Sequence, residues 1–262
     1  MGISSSVDAG IAEVVVDHPP VNALDVAGWF ELADTVTALG RDPEVRVLIL
    51  AAAGKGFNAG VDIKEMQATE GFEALLGANR GCFAAFAAVY DCEVPVIAAV
   101  NGYCLGGGIG LVGNADIIVA SDDATFGLPE VDRGALGAAT HLARLVPQHK
   151  MRAMVYTAEP ATAQELARYG SVLEVVPRDE LRSTARTVAA GIAEKSGTVI
   201  RAAKQSLNGI DPIDVKRSYR YEQGFTFELN LSGVADEARD AFVDKRDVDN
   251  SDVDNSDAGP DD

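Results

Sequence analysis

Basic residues are scarce in this chain. Twenty-two Lys and Arg stand against 40 Asp and Glu, a formal net charge of −18. A surface of that sign repels the phosphate backbone, which sets nucleic-acid partners aside. Long apolar runs are missing too: none reaches the roughly 18 residues of a membrane-crossing helix, so no membrane partner is expected. The first ten residues show no basic segment followed by an apolar stretch, so the expected location is cytoplasmic, without a secretory leader. Cysteine is limited to Cys82, Cys92 and Cys104, an odd number without metal-ligand spacing. A reducing compartment suits them best. The three histidines form no ligand set with the cysteines, so no metal site is expected. Neither G-x-x-x-x-G-K-[ST] nor G-x-S-x-G occurs, which removes a P-loop and the commonest hydrolase elbow.

What is present is an ordinary globular body with an acidic tail. The chain has 262 residues, 47% of them hydrophobic, enough for one α/β core and too apolar for a wholly disordered protein. Residues 247–262, DVDNSDVDNSDAGPDD, hold seven of the acids, no base, and only two Val as bulky apolar residues. Such a segment buries too little to offset its ordering entropy, so disorder is its expectation. It lacks the glycine and closing glutamate of a calcium-binding loop.

Upstream, β-branched apolar runs at 11–17, 45–52, 95–100, 116–121 and 172–176 read as strands. Helical spacing runs from about Asp25 to Leu39, with Val26, Phe30, Ala33 and Thr37 on one face and Trp29, Leu32 and Val36 beside it. A second helix is expected over 71–90, and 138–240 reads as mostly helical. Alternation of strand and helix places the fold in the α/β class. The expected organisation is a core over 1–200 and a helical region of the same domain over 201–246.

Two glycine-containing loops, 54–62 and 102–110, each follow a buried strand. The second formally contains G-x-G-x-x-G at Gly108, Gly110 and Gly113. A dinucleotide fingerprint belongs at the first strand-to-helix turn, whereas here Asn101–Leu105 intervene, so nicotinamide and flavin binding are set aside. Two such loops can each aim one N–H at the same oxygen and stabilise an enolate or a tetrahedral oxyanion. Close strand–helix packing explains the glycines equally well, and spacing alone leaves both readings open.

The segments PPVNAL (19–24), GKGFNAGVDIKEM (54–66), PVIAAVNGYCLGGGIGL (95–111), NADIIVAS (114–121) and ATFGLPEVDRGALG (124–137) together resemble the crotonase (enoyl-CoA hydratase/isomerase) family. The resemblance extends over nearly the whole chain up to about residue 245. It implies a spiral of ββα units, a helical C-terminal region used in trimerisation, an acyl-CoA substrate, and no cofactor beyond the CoA moiety of that substrate. It implies a homotrimer or a dimer of trimers. Carried over to these positions, it makes Val61 and Gly107 the two backbone donors to the thioester oxygen and Glu130 the acid–base residue. Ala23, Ala59, Asp62, Ile63 and Lys64 fall where the family holds CoA. A hydratase of this family has a second glutamate two residues after the glycine triplet, where this chain has Gly110. The missing carboxylate implies different chemistry, a pocket enlarged for a bulky acyl group, or both.

Longer stretches, including NAGVDIKEMQATEGF, PEVDRGALGAATHLARLVPQH and YEQGFTFELNLSGVADE, are similar to actinobacterial members of this family that act in steroid degradation. The similarity implies hydrolytic opening of a ring in a bicyclic indane-type CoA thioester from steroid rings C and D. A β-diketone-like carbon–carbon bond would break while CoA stays attached. Two alternatives stand beside it: a hydratase/isomerase-like enzyme on a bulky acyl-CoA, and a catalytically weak acyl-CoA-binding homologue. Asp132, Arg133 and His141 are auxiliary candidates for the acyl pocket. A structural role suits His141 better, and Glu130 also admits a reading as a supporting carboxylate outside the chemistry. Tyr219, Tyr221, Glu222 and Phe225 fit either a pocket cap or interface packing.

Overall fold

Seven of the strand residues that begin the chain were not legible as a strand. In the computed structural model, which describes residues 2–69, 71–238 and 240–241, Gly2–Asp8 (β1) pairs antiparallel with Ile11–Asp17 (β2). The two-residue turn Ala9-Gly10 has positive φ at both positions, the geometry that matches the twist of a tight hairpin. β1 is Ser-rich and mostly exposed, so it carries no hydrophobic run to read.

Asp25 caps α1 (Val26–Arg41) by accepting from the Gly28 N–H, and the helix stops at Asp42 before Pro43. Its buried face is Trp29, Leu32, Ala33 and Val36, with Phe30 left 39% exposed. The stripe expected to lie beside the core is therefore the core face. β3 (Val47–Ala52) follows, then α2 (Ile63–Ala68), capped by Asp62, and α3 (Glu73–Tyr90). β4 (Val96–Val100) leads directly into β5 (Tyr103–Leu105) and α4 (Gly107–Val112). The expected loop over 102–110 is thus a short strand and the first turn of a helix.

β6 (Ile117–Ser121) and β7 (Thr125–Gly127) precede a 3₁₀ turn at Pro129–Arg133 and then α5 (Ala139–Leu142) and α6 (Gln148–Thr157). β8 (Ala161–Thr162), α7 (Ala163–Tyr169), β9 (Glu174–Val176), α8 (Leu181–Ala193), α9 (Gly197–Gly209) and α10 (Val215–Leu231) complete the chain. The acidic segment 247–262 lies outside the described residues.

The main sheet runs β1-β2-β3-β4-β6-β9 and is parallel from β2 onward. Period-two alternation sends Val14, Leu48, Leu50 and Ala98 into a core shared with α1 and α3. Val47, Ile49, Ile97 and Val119 point the other way, against Leu181, Ala185, Ala189 and Ala193 of α8. Those four α8 residues recur every fourth position and form one helical face. Burial on both faces explains why β3 and β4 read as unbroken apolar runs.

A second layer holds the site. It consists of β5-β7-β8, extended by isolated bridges between Asn58 and Cys104 and between Leu24 and Val61. Each main-sheet strand from β2 to β6 is thus followed by a short extended piece in this layer, the expected ββα spiral. No described helix is long and apolar enough to cross a membrane.

Candidate active site

Strand register brings three chain segments to one place. β5 and β7 pair so that Leu105 lies opposite Gly127, and the Gly106 N–H donates to the Gly127 carbonyl at 3.1 Å. The next residues on one strand are Gly106-Gly107, and on the other Leu128-Pro129-Glu130. On the opposite side of β5, Leu105 N–H donates to the Asn58 carbonyl at 2.8 Å, which brings the loop carrying Val61 alongside. Asn58 is buried and shapes that loop: its Nδ2 donates to the Asn22 carbonyl and its Oδ1 accepts from the Gly60 N–H at 2.9 Å.

The two loops touch. A Cβ built on Gly60 would stand 3.3 Å from the Gly107 nitrogen. Gly107 opens α4, so its N–H has no partner within the helix. Among the described residues, neither the Val61 nor the Gly107 N–H donates to a protein acceptor, although both residues line the main cavity. Gly106 precedes Gly107 with φ +56°, and a side chain there would meet Glu130 Oε1 at 2.6 Å. Only glycine combines that backbone with so close a carboxylate.

Glu130 faces these donors from the 3₁₀ turn. The residue is partly open to the cavity, but its Oε2 is buried and has no hydrogen-bond partner within the protein. Burial pushes its pKa up to about 7; its own backbone N–H and the Arg133 guanidinium oppose that rise, and Glu222 adds to it. A carboxyl poised near neutrality can take and return a proton at the pH of the cell. Arg133 lines the same cavity. Asp132 is exposed and lines neither the main cavity nor its neighbour, because the turn points it outward.

Gly110 leaves no space. A Cβ there would meet the Phe86 ring at 2.2 Å. Phe86 is buried, packs edge-on against Trp29 with centroids 5.7 Å apart, and lines the cavity in place of Gly110. The expectation of a pocket widened at Gly110 is corrected: α3 fills that volume with an aromatic ring. The α3 and α10 side of the cavity is lined by Leu75, Cys82, Phe86 and Tyr219.

His141 does not reach this cavity. It sits behind Phe86 and Tyr219, with ring centroids 5.1 Å from each, and its ring nitrogens are buried without partners. Burial, with a smaller contribution from Arg144, pushes its pKa down to about 3. It is a neutral packing residue, not a proton carrier.

At the CoA-side positions, Ala59 and Ile63 line the cavity mouth with Val61. Ala23 precedes Leu24, whose N–H donates to the Gly60 carbonyl and whose carbonyl accepts from the Asp62 N–H. The Asp62 carboxylate accepts from the Lys64 N–H at 2.9 Å, and the Lys64 side chain is exposed. The described residues contain no group of three or more His, Cys, Asp or Glu able to hold a metal ion.

Sequence reasoning passed over Phe86 and Cys82 as site residues, and left Tyr219, which lines the cavity, between a pocket cap and interface packing. A signal existed for the first two: Leu75, Asn79, Cys82 and Phe86 follow helical spacing and all line the cavity. All three cysteines are free and buried, and burial raises the thiol pKa of each. Cys104 therefore acts as a small buried hydrophobe.

The arrangement matches known proteins. A family model described as enoyl-CoA hydratase/isomerase matches residues 6–252. A protein of Rhodococcus jostii named "(7aS)-7a-methyl-1,5-dioxo-2,3,5,6,7,7a-hexahydro-1H-indene-carboxyl-CoA hydrolase" is 70% identical over 93% of this chain and 95% of its own length. The protein of the same name from Mycobacterium tuberculosis is 66% identical over 92% of this chain and 98% of its own. Among solved structures, an enoyl-CoA hydratase/isomerase from Xanthobacter autotrophicus superposes with a TM-score of 0.85 at 26% identity, covering 100% of this chain and 99% of that one.

Proposed function

The chain belongs to the enoyl-CoA hydratase/isomerase family, and from that membership we propose that it is a hydrolase opening a carbon ring of a bicyclic, indane-type CoA thioester. The observation that carries this reading is the asymmetry of the site. One carboxylate, with a single buried and unpartnered oxygen, faces two open backbone N–H groups, while an aromatic ring fills the place where hydration of a double bond would want a second proton-transfer group.

The substrate named for the two relatives has a ketone next to a methyl-bearing ring-fusion carbon. That carbon adjoins a carbon–carbon double bond conjugated with a second ketone, so the system is a vinylogous β-diketone. Glu130 takes a proton from water as the water oxygen bonds to the first ketone. The resulting tetrahedral adduct collapses to a carboxylic acid, and the bond to the ring-fusion carbon breaks. The released electron pair spreads along the double bond, and Glu130 returns a proton to carbon. The sum is addition of one water, with CoA still attached. The Val61 and Gly107 N–H groups hold the thioester oxygen and fix the acyl group against Glu130. Ala23, Ala59, Asp62, Ile63 and Lys64 flank the CoA side, with Lys64 as the exposed cation. Arg133 moderates the Glu130 carboxyl, and no cofactor beyond CoA itself takes part.

We also propose that the helical region 201–246, of which residues 239 and 242–246 lie outside the described residues, belongs to the same domain as the core of 1–200, and that the protein assembles as a homotrimer or a dimer of trimers in the cytoplasm. Apolar side chains left in water on α10, Leu231 at 71% and Phe225 at 39% exposure, support an interface there. Light scattering that finds a monomer throughout the micromolar range would contradict the assembly.

The functional test is a substrate panel read by mass spectrometry. The indane-type thioester should gain one water and keep its CoA, whereas crotonyl-CoA should turn over poorly. Tight binding across the panel without any product would favour a catalytically weak binding homologue.

A further inference from the structure

Behind Glu130 lies a second cavity, separate from the one holding the two N–H donors. It is lined by Leu128, Glu130, Met151, Tyr221, Glu222 and Phe225 among others, so Glu130 belongs to both chambers and a second carboxylate stands on its far side. Glu222 projects from α10 and is held firmly. Its Oε2 accepts from the Ala139 N–H at 2.9 Å, and its Oε1 from the Thr140 N–H at 2.6 Å and from the Thr140 hydroxyl. Those donors are the opening of α5, the segment that directly follows Leu136, Gly137 and Ala138 of the main cavity wall.

We propose that Glu222 is a positioning residue for the hydrolysis: it clamps the 136–140 wall against Glu130 and, through its charge, sets the pH at which Glu130 gives up its proton. This rests on the reading of Glu130 as the base. Burial raises the Glu222 carboxyl above its ordinary pKa, and the three donors, which favour the ionised form, oppose that rise. An anion facing a neighbouring carboxyl disfavours ionisation of that carboxyl.

Several other groups face Glu130. Arg133 lies on its own turn, Cys82 on α3, Tyr219 on α10 beside Glu222, and Arg152 of α6 on the wall of the second cavity. Burial holds Cys82 as a thiol and Tyr219 as a phenol, so neither contributes charge at neutral pH. Arg133 favours the Glu130 anion and Glu222 opposes it. The two carboxylates thus divide the work: one performs the chemistry and the other sets its proton affinity from behind.

The test is the pH dependence of kcat/KM on the indane-type CoA thioester for wild type, Glu222→Gln, Glu222→Asp and Glu130→Gln. Glu222→Gln removes the charge and should move the acid limb down by about half a pH unit or more. Glu222→Asp keeps the charge at a shorter reach, so its limb should stay near wild type while KM rises. Thr140→Val removes one donor to Glu222 and should move the limb in the same direction by less, which keeps the test open if Glu222→Gln does not fold. If Glu130→Gln is inactive yet the limb is unmoved in the folded variants, or moves equally in Gln and Asp, the role of Glu222 is overturned. If Glu130→Gln keeps wild-type turnover, the reading of Glu130 as base falls first.

Discussion

Phe86 occupies the space beside Gly110, and neither residue can change without the other. A methyl group at Gly110 would overlap the ring at 2.2 Å, and the ring is fixed in turn by Trp29, His141 and Tyr219 around it. Restoring a carboxylate at position 110 is therefore not a route back to hydration. Gly110→Glu should lower stability by about 1–3 kcal/mol through overpacking and gain no crotonyl-CoA activity. Adding Phe86→Ala should recover part of the lost stability, because the two changes share one volume. Thermal unfolding of the single and double variants checks this; additive losses would contradict the interlock.

Glu130 gives two linked expectations. Glu130→Gln keeps the shape of the side chain but removes the base, so kcat should fall roughly 10²–10⁴-fold with CoA-thioester affinity nearly unchanged. The same substitution should stabilise the fold at alkaline pH. Between the ordinary carboxyl value of 4.5 and its folded value of about 7, the native state holds a proton that the unfolded chain releases. Stability therefore falls as pH rises through that window, and the Gln variant escapes the loss. Denaturation at pH 5 and pH 8 should show the advantage of Gln only at the higher pH.

His141 follows the opposite sign. Its folded pKa of about 3 lies below the ordinary 6.5, so the unfolded chain binds the extra proton and stability falls as pH drops from 6.5 toward 3. His141→Phe preserves the ring against Phe86 and Tyr219 and should remove part of that acid sensitivity. The acid limb of kcat/KM should stay where wild type has it. Movement of that limb would return His141 to the chemistry.

Part of this site was legible in the sequence and part was not, for physical reasons. Val61, Gly107 and Glu130 sit within short contiguous motifs, and strand register alone carries them together. The main strands were legible because burial on both faces makes them continuous apolar runs. β5, β7 and β8 are two or three residues long, too short for any period to register. Phe86 filling the place beside Gly110 is a contact across 24 positions between two helices. Glu222 capping α5 spans more than 80, a distance over which a sequence gives no pairing signal. On α1 the face was misread by one stripe, since Phe30 and Trp29 satisfy helical spacing equally and only packing separates them.

A half-buried ion pair joins α9 to the main sheet. Lys204 of α9 is 4% exposed, and its Nζ reaches both Asp116 carboxylate oxygens at 2.7 and 2.8 Å. Asp116 also accepts from the Val96 N–H, which ties α9 to the start of β4. Lys204→Met removes the ammonium while Asp116 keeps solvent and the Val96 N–H, so the change should cost about 1.5–3 kcal/mol, read by chemical denaturation. A loss under 1 kcal/mol would show that the pair contributes little to the fold.

The central claim is carbon–carbon bond hydrolysis with the thioester left intact, and incubation in ¹⁸O-water with the bicyclic indane-type CoA thioester tests it most directly. The expected product is heavier by one water, carries the label in a newly formed carboxylate, and retains CoA. Free CoA with the label in the released acid would mean thioester hydrolysis, and a labelled alcohol would mean hydration; either result would contradict the account.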